Sequence, residues 1–154
     1  TQGKLKFGKQ LDGLGVDVIE AGFAAASPGD LEAVQKIASE VRTPKIASLA
    51  RCYIDDVDKA WEGVKGAARP RLHVFISSSD IQIMNQLRKN PEEVLDIAVA
   101  SFEGVKTYCE DVEFSPMDAT RTEPEDSYEM MEAVINARAT KITIAENGRY
   151  RITS

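Results

Sequence analysis

A single histidine occurs in the 154 residues, at the start of the stretch HVFISSSD. An imidazole titrates near neutral pH and is suited to proton transfer, and the serines after it add hydroxyl groups that donate and accept hydrogen bonds. If this stretch begins as a β-strand, alternation places His73 and Ser77 on one face and Val74 and Ile76 on the other. The pattern indicates either a polar site on that face or a lone histidine satisfied within a core.

A second polar alternation lies in DVEFSPMD, residues 111–118. As a strand, this segment places Glu113, Ser115 and Met117 on one face. A carboxylate and a hydroxyl side by side near the end of a strand could hold a carboxyl or carbonyl group of a substrate.

A third candidate is Glu20, in the apolar run DVIEAGF at residues 17–23. A carboxylate buried in such a run needs a partner. It can line a ligand pocket, or it can form an internal ion pair, for which Arg51 is a candidate. Gly22, two residues later, would allow a ligand or the backbone to approach closely.

Length, composition and charge limit the class of protein to which this chain can belong. The length suits one domain, residues 1–154, and 43% hydrophobic residues are enough for a core. The 19 Lys and Arg against 25 Asp and Glu leave a net charge of -6, which argues against binding to nucleic acid or to an anionic membrane. No apolar run reaches the ~18 residues of a membrane span.

The two cysteines, Cys52 and Cys109, stand far apart and form no CxxC motif. Neither a zinc site nor a disulfide framework is expected from them. This usage favours a reducing compartment, the cytoplasm, or the plastid stroma if the source is a plant.

Five short apolar runs rich in β-branched residues predict strands. They are DVIEAGF (17–23), KIASLAR (45–51), RLHVFIS (71–77), DVEFSP (111–116) and KITIA (141–145). Between them, apolar residues recur at helical spacing, as at Val57, Ala60 and Val64. SPGD at 27–30 and NPEE at 90–93 are helix start signals, and Thr122 with Glu125 is a third.

Strands that alternate with helices about every 30 residues predict βα units and a parallel sheet. No glycine-rich nucleotide-binding motif follows the first strand. Polar residues cluster instead at the carboxyl ends of the predicted strands, where a (β/α)8 TIM barrel places its active site. We therefore predict a partial (β/α)8 TIM barrel of about five βα units, about three units short of closure.

Three stretches also carry a resemblance: LGVDVIEAGFAAASPGDLEAVQKIA, RPRLHVFISSSDI and CEDVEFSPMDATRTEPE. In this order they resemble the catalytic barrel of the 2-isopropylmalate synthase family, which includes homocitrate, citramalate and methylthioalkylmalate synthases. The resemblance implies an acyltransferase that condenses acetyl-CoA with a 2-oxo acid such as 2-oxoisovalerate, in leucine biosynthesis. It also implies a divalent metal, Zn, Mg or Mn, and we expect a homo-oligomer that binds neither nucleic acid nor membrane.

The resemblance assigns roles to individual residues. The expected catalytic residues are His73 and Glu113. The expected substrate-binding residues are Glu20, Ser77, Ser79, Ser115, Thr120 and Arg121. For the last two, the structural alternative is a solvated turn and a helix cap.

Three departures from the family pattern qualify this expectation. Met117 stands where the family often has a glutamate, and methionine accepts only weak hydrogen bonds. ITIAENGRY at 142–150 lacks the proline and threonine of the family's substrate pocket. The family's metal-binding runs, Arg-Asp-Gly-Glu-Gln and His-x-His, are absent, so we expect these 154 residues to assemble no metal site and to be inactive alone.

Two hypotheses of different class therefore stay open. The chain is either part of a working acyltransferase of this type, whose metal ligands lie outside these residues, or a catalytically inactive partial barrel that serves as a binding or oligomerisation module. A third hypothesis is that the chain belongs to another enzyme of the same superfamily, such as a lyase.

Overall fold

A computed structural model describes residues 2–77, 91–117, 132 and 141–142. This part of the chain contains four helices and five strands, and a helix precedes each of the first four strands. The helices are α1 (Gln2–Gly13), α2 (Pro28–Glu40), α3 (Ile54–Val64) and α4 (Pro91–Tyr108), and the strands are β1 (Val18–Gly22), β2 (Lys45–Arg51), β3 (Pro70–Ser77), β4 (Val112–Met117) and β5 (Lys141–Ile142). The five strands begin within one residue of the predicted starts.

The strands form one sheet in the order β1-β2-β3-β4-β5, and every neighbouring pair is parallel. Sequential order with helical crossovers is the arrangement of a (β/α)8 barrel rather than of a doubly wound sheet. The prediction of part of a TIM barrel is therefore confirmed.

One face of the sheet is apolar and packs against the helices. The strands contribute Ile19, Ile46, Leu72, Val74, Val112 and Phe114, and the helices contribute Val34, Ile37, Val57, Val64, Phe102 and Val105, all of them buried. Period-two residues on strands and period-3.6 residues on helices thus meet in one core layer.

Helix α2 begins as the sequence predicts. The hydroxyl of Ser27 accepts a hydrogen bond from the backbone N–H of Asp30 at 3.1 Å, and Pro28 occupies the first turn. Proline is favoured there because its missing N–H would have had no helical partner. Helix α4 begins at Pro91, the second residue of the predicted NPEE signal. The third predicted signal, Thr122 with Glu125, lies outside the described residues.

Helix α1 was not predicted, because its sequence has no capping box and contains three glycines. Tertiary contacts stabilise it instead. Gly8 packs against Ile37 and Val41, to which a Cβ added at Gly8 would lie 3.7 Å away. Lys4 and Lys9 form ion pairs with Asp30 and Glu40 of α2, the first at 2.9 Å.

Helices α2 and α3 approach closely at Gly63. A Cβ added there would lie 2.8 Å from Cγ1 of Val34, a buried side chain of α2. Only a residue without a side chain fits this crossing.

Strand β1 contains a bulge before its end. Glu20 pairs with Ala47, but Gly22 pairs with Ser48, so β1 advances two residues where β2 advances one. Gly22 has a φ of 145°, a conformation that favours glycine. A Cβ at Gly22 would meet only Val34, at 3.7 Å, so the glycine is required by its backbone angle rather than by the close approach of another group.

After this bulge, Phe23 lies against the opposite face of the sheet from the helices. Its ring packs edge-on against Phe75 with a centroid distance of 6.3 Å. The guanidinium of Arg51 lies 5.7 Å from the Phe23 centroid.

None of the helices among the described residues is long and apolar enough to cross a membrane.

Candidate functional site

The face of the sheet that points away from the helices carries the polar side chains. It corresponds to the lumen face of a barrel, and we call it the lumen face. Alternation places Glu20 of β1, Arg71 and His73 of β3, and Glu113 and Ser115 of β4 on it. The charged residues lie towards the amino ends of the strands, and Ser115 lies nearer a carboxyl end.

His73 joins side chains from three strands. Its Nδ1 lies 2.6 Å from Oε1 of Glu20, and its Nε2 lies 2.7 Å from Oγ of Ser115. Both distances are those of strong hydrogen bonds. Three residues predicted from separate segments of the sequence are therefore brought together in one hydrogen-bonded row.

Strand register explains the row. The ladder partner of His73 on β4 is Glu113, and Ser115 lies two residues further along the same face. On the other side, β2 separates β1 from β3, and the residue between Glu20 and Arg71 in the ladder is Ala47. Because alanine is short, the Glu20 side chain can cross β2 and reach the imidazole.

Exposure changes along the row. The Glu20 side chain is 45% exposed, that of His73 is 15% exposed, and Ser115 is 3% exposed. The carboxylate is therefore the open end of the row, and the hydroxyl is the closed end.

A charged network lies next to the row, at the amino ends of β2–β5. Arg71 is buried and donates from Nε to Oδ1 of Asp111 at 2.8 Å and from Nη1 to Oε2 of Glu113 at 3.3 Å. Lys45 also contacts Asp111, and Lys141 lies 3.6 Å from the other oxygen of Glu113. A buried guanidinium requires carboxylate partners of this kind.

The network changes the acidity of Asp111. Burial disfavours the ionised form, but hydrogen bonds from Arg71 and Lys45, together with their positive charges, outweigh it. They hold the pKa of Asp111 below its ordinary value of 3.8.

The other predicted site residues have different surroundings. Glu113 is 7% exposed and is bound by Arg71 and Lys141 rather than by His73. Ser77 ends β3, where its ladder partner is Met117. Ser79, Thr120 and Arg121 lie outside the described residues.

Arg51 was suggested as the ion-pair partner of Glu20, but it pairs with Asp56 instead. Its Nε lies 2.6 Å from Oδ2 of Asp56, and its Nη2 lies 3.1 Å from Oδ1 of the same residue. The carboxylate of Glu20 is bound by His73 instead.

Arg71, Lys45 and Asp111 were not predicted as site residues. Arg71 was visible as the residue two before His73, and hence on the same face of β3. Lys45 and Asp111 stand at or just before strand starts, where a charged residue is usually solvated, so no local signal marked them.

Metal binding was tested on the residues that the structure describes. Among them, no three His, Cys, Asp or Glu side chains lie together as a metal site requires. The described part of the chain therefore does not fit a divalent metal, and no chemical step is assigned to one.

Comparisons with known proteins agree with this fold. The structure of Bacillus subtilis HMG-CoA lyase superposes with a TM-score of 0.70 over 94% of this chain and 51% of that chain, at 17% identity. At this identity the match bears on the fold alone.

Sequence relatives are much more similar. Proteins named 2-isopropylmalate synthase are 52% identical in Syntrophus aciditrophicus and 49% identical in Acetivibrio thermocellus, each over 149 residues. One from Gloeobacter violaceus is 51% identical over 150 residues. These matches cover 96–97% of this chain but only 28–29% of the relatives, so the chain spans less than a third of their length.

A family model described as HMGL-like matches residues 1–151. Since that match extends over nearly the whole sequence, and the parallel sheet has the expected topology, the chain belongs to the HMGL-like family.

Proposed function

We propose that the protein containing this chain is an acyltransferase that condenses acetyl-CoA with a 2-oxo acid in leucine biosynthesis. The preferred 2-oxo acid in this proposal is 2-oxoisovalerate. The observation that carries the proposal is the Glu20–His73–Ser115 row on the lumen face. About half of the residues over nearly the whole chain are identical to those of proteins named 2-isopropylmalate synthase.

The reaction defines what the site must do. A base removes a proton from the methyl group of acetyl-CoA, and the resulting carbanion attacks the ketone carbon of the 2-oxo acid. Negative charge then develops on the former ketone oxygen, which takes up a proton. Water finally hydrolyses the thioester and releases the CoA thiol.

His73 and Ser115 suit the stage at which the ketone oxygen becomes negative. When the imidazole is protonated, its Nε2 donates to Ser115 and the serine hydroxyl can donate to the oxyanion. Such a pre-positioned donor lowers the barrier because it need not reorganise. We assign His73 to orienting the 2-oxo acid, and Ser115, which is 3% exposed before a ligand is bound, to substrate binding. Ser77, Ser79, Thr120 and Arg121 stay in the proposal as further substrate contacts.

Glu113 suits an electrostatic role better than proton transfer. Its carboxylate is already engaged by two cationic side chains, Arg71 at 3.3 Å and Lys141 at 3.6 Å. We therefore propose that Glu113 contributes to catalysis by fixing Arg71 beneath the His73 row.

The divalent metal expected for such an enzyme would be held by residues other than those described. We also propose that the protein forms a homo-oligomer. Phe7 on α1 and Leu14 in the turn after it, 61% and 77% exposed, would be available to such a contact.

The test is thiol release from acetyl-CoA by the complete protein, with an added divalent metal. Release that requires 2-oxoisovalerate supports the proposal, and pyruvate and 2-oxoglutarate in parallel reactions identify the preferred 2-oxo acid. Failure of all three acids to promote release, by protein that is folded by circular dichroism, would overturn it and favour a binding or oligomerisation module.

A further inference from the structure

We propose that Glu20 is a positioning residue for His73: its carboxylate fixes the proton of the neutral imidazole on Nδ1 and thereby determines what the Ser115 hydroxyl presents to a bound molecule. Only the last step, the effect on turnover, rests on the proposed function. The sequence resemblance had placed Glu20 against the substrate itself.

The first step concerns the contact between Glu20 and the ring. An ionised carboxylate can only accept hydrogen bonds. At 2.6 Å between Oε1 and Nδ1, two lone pairs facing each other would repel, so a proton must lie between them. Nδ1 therefore carries hydrogen whether the imidazole is neutral or protonated.

The second step follows at the other nitrogen. In the neutral ring, Nε2 is then an acceptor, and the Ser115 hydroxyl 2.7 Å away must donate to it. Its oxygen lone pairs point elsewhere and can accept a proton or a hydrogen bond. In the protonated ring, Nε2 donates to Ser115, and the hydroxyl hydrogen is released to bind an acceptor.

Glu20 thus makes the pair of His73 and Ser115 directional. When a bound molecule gives a proton to Oγ of Ser115, the serine's own proton moves to Nε2, and the resulting imidazolium is stabilised by the Glu20 carboxylate. The reverse transfer delivers a proton to a developing alkoxide. No group other than the proton donor or acceptor is needed to balance either transfer.

The surroundings of Glu20 support a role through His73. Its backbone is held in the β1–β2 ladder opposite Ala47, and its side chain crosses that short residue. The nearest charged groups below His73 on the same face, Arg71 and Glu113, pair with each other. The carboxylate of Glu20 is therefore the one that meets the imidazole in the described part of the sheet.

The test is the tautomer of His73, read from the ¹⁵N shifts of the ring nitrogens in the complete protein. The His73 signals are those lost in His73→Gln. At the high-pH plateau, where the ring is neutral, we expect the Nδ1–H form in the wild type. An Nε2–H form, or an even mixture of the two, would overturn the proposal, and this readout requires neither substrate nor activity.

Variants extend the test to turnover. Glu20→Gln offers both an acceptor and a donor to Nδ1, so the ring should become a mixture of tautomers, and kcat should fall about 10- to 100-fold with a smaller change in KM. Glu20→Asp should keep part of the Nδ1–H form and of the activity. Glu62→Gln, which removes an exposed carboxylate paired with Lys59, is the matched control and should change neither. An unchanged tautomer in Glu20→Gln would contradict the inference even if turnover fell.

Discussion

His73 and Ser115 contact each other diagonally across β3 and β4. The Nε2 and Oγ atoms are 2.7 Å apart, although the ladder partner of His73 is Glu113. Parallel pairing puts Glu113 nearer the amino ends of the strands, among the charged residues, and leaves the hydroxyl as the partner of the imidazole. The imidazole is therefore bonded to the hydroxyl one step nearer the carboxyl end of β4 rather than to Glu113 directly opposite.

Loss of either side chain should lower kcat/KM for condensation by about 10²- to 10⁴-fold, the usual range for a positioned proton-transfer group. We expect His73→Gln, Ser115→Ala and the double variant to be similar to one another, because the two groups act as one unit. Ser39→Ala, at a serine bonded to the Lys36 carbonyl, is the control. Strictly additive losses in the double variant would show that the two groups act independently.

Arg71→Met should reduce the free energy of unfolding by about 3–5 kcal/mol, since it leaves the carboxylates of Asp111 and Glu113 without their buried cation. Lys59→Met removes an exposed ion pair with Glu62 and should change stability by less than about 1 kcal/mol. Urea unfolding of both variants measures the difference. Equal effects would mean that the network is as solvated as a surface pair.

Acid should destabilise the wild type partly through Asp111. Its folded-state pKa lies below the ordinary 3.8, so its contribution is complete above that value and is lost as pH falls through the folded-state pKa. The stability advantage of the wild type over Asp111→Asn should therefore stay constant between pH 7 and about 5. It should then shrink below about pH 4, as measured by urea midpoints at each pH. An advantage that does not change down to pH 2 would contradict this assignment.

Gly63→Ala should destabilise the protein by about 1–3 kcal/mol, because the new methyl group would lie 2.8 Å from Val34 in a packed helix crossing. Gly104→Ala is a matched change within α4, where a Cβ would meet nothing within 4 Å. That variant should be stabilised by up to about 1 kcal/mol through helix propensity. Thermal unfolding of the two distinguishes packing from propensity, and a stabilised Gly63→Ala would mean that the helices can move apart.

Local pattern was sufficient to predict the strands, their parallel pairing and the faces on which His73 and Ser115 lie. Glu20 was expected to be buried, and its side chain is 45% exposed. Strand alternation has a period of two and requires no knowledge of the neighbours. Which side chain each residue meets depends on register, and register is a long-range property. For this reason the Glu20–His73 pair, 53 residues apart in sequence, could not be predicted, and Arg51 was suggested in its place.

Helix α1 and the charged network around Arg71 were missed for a related reason. The residues that stabilise them, such as Ile37 for Gly8 and Asp111 for Arg71, come from distant segments. A lysine or an aspartate at the edge of a strand has the same local sequence whether it is solvated or buried in an ion pair.

The bulge in β1 has a consequence for protein engineering. Without the extra residue, alternation would send Phe23 to the same side as Ile19 and Ala21, among the helices. With it, Phe23 crosses over to Phe75 and Arg51. A chimera that takes β1 from one relative and the following loop from another must therefore place its junction before Glu20 or after Phe23. A crossover between these points that deletes one residue would return Phe23 to the helix side of the sheet, away from Phe75 and Arg51, even if the two parents were otherwise identical.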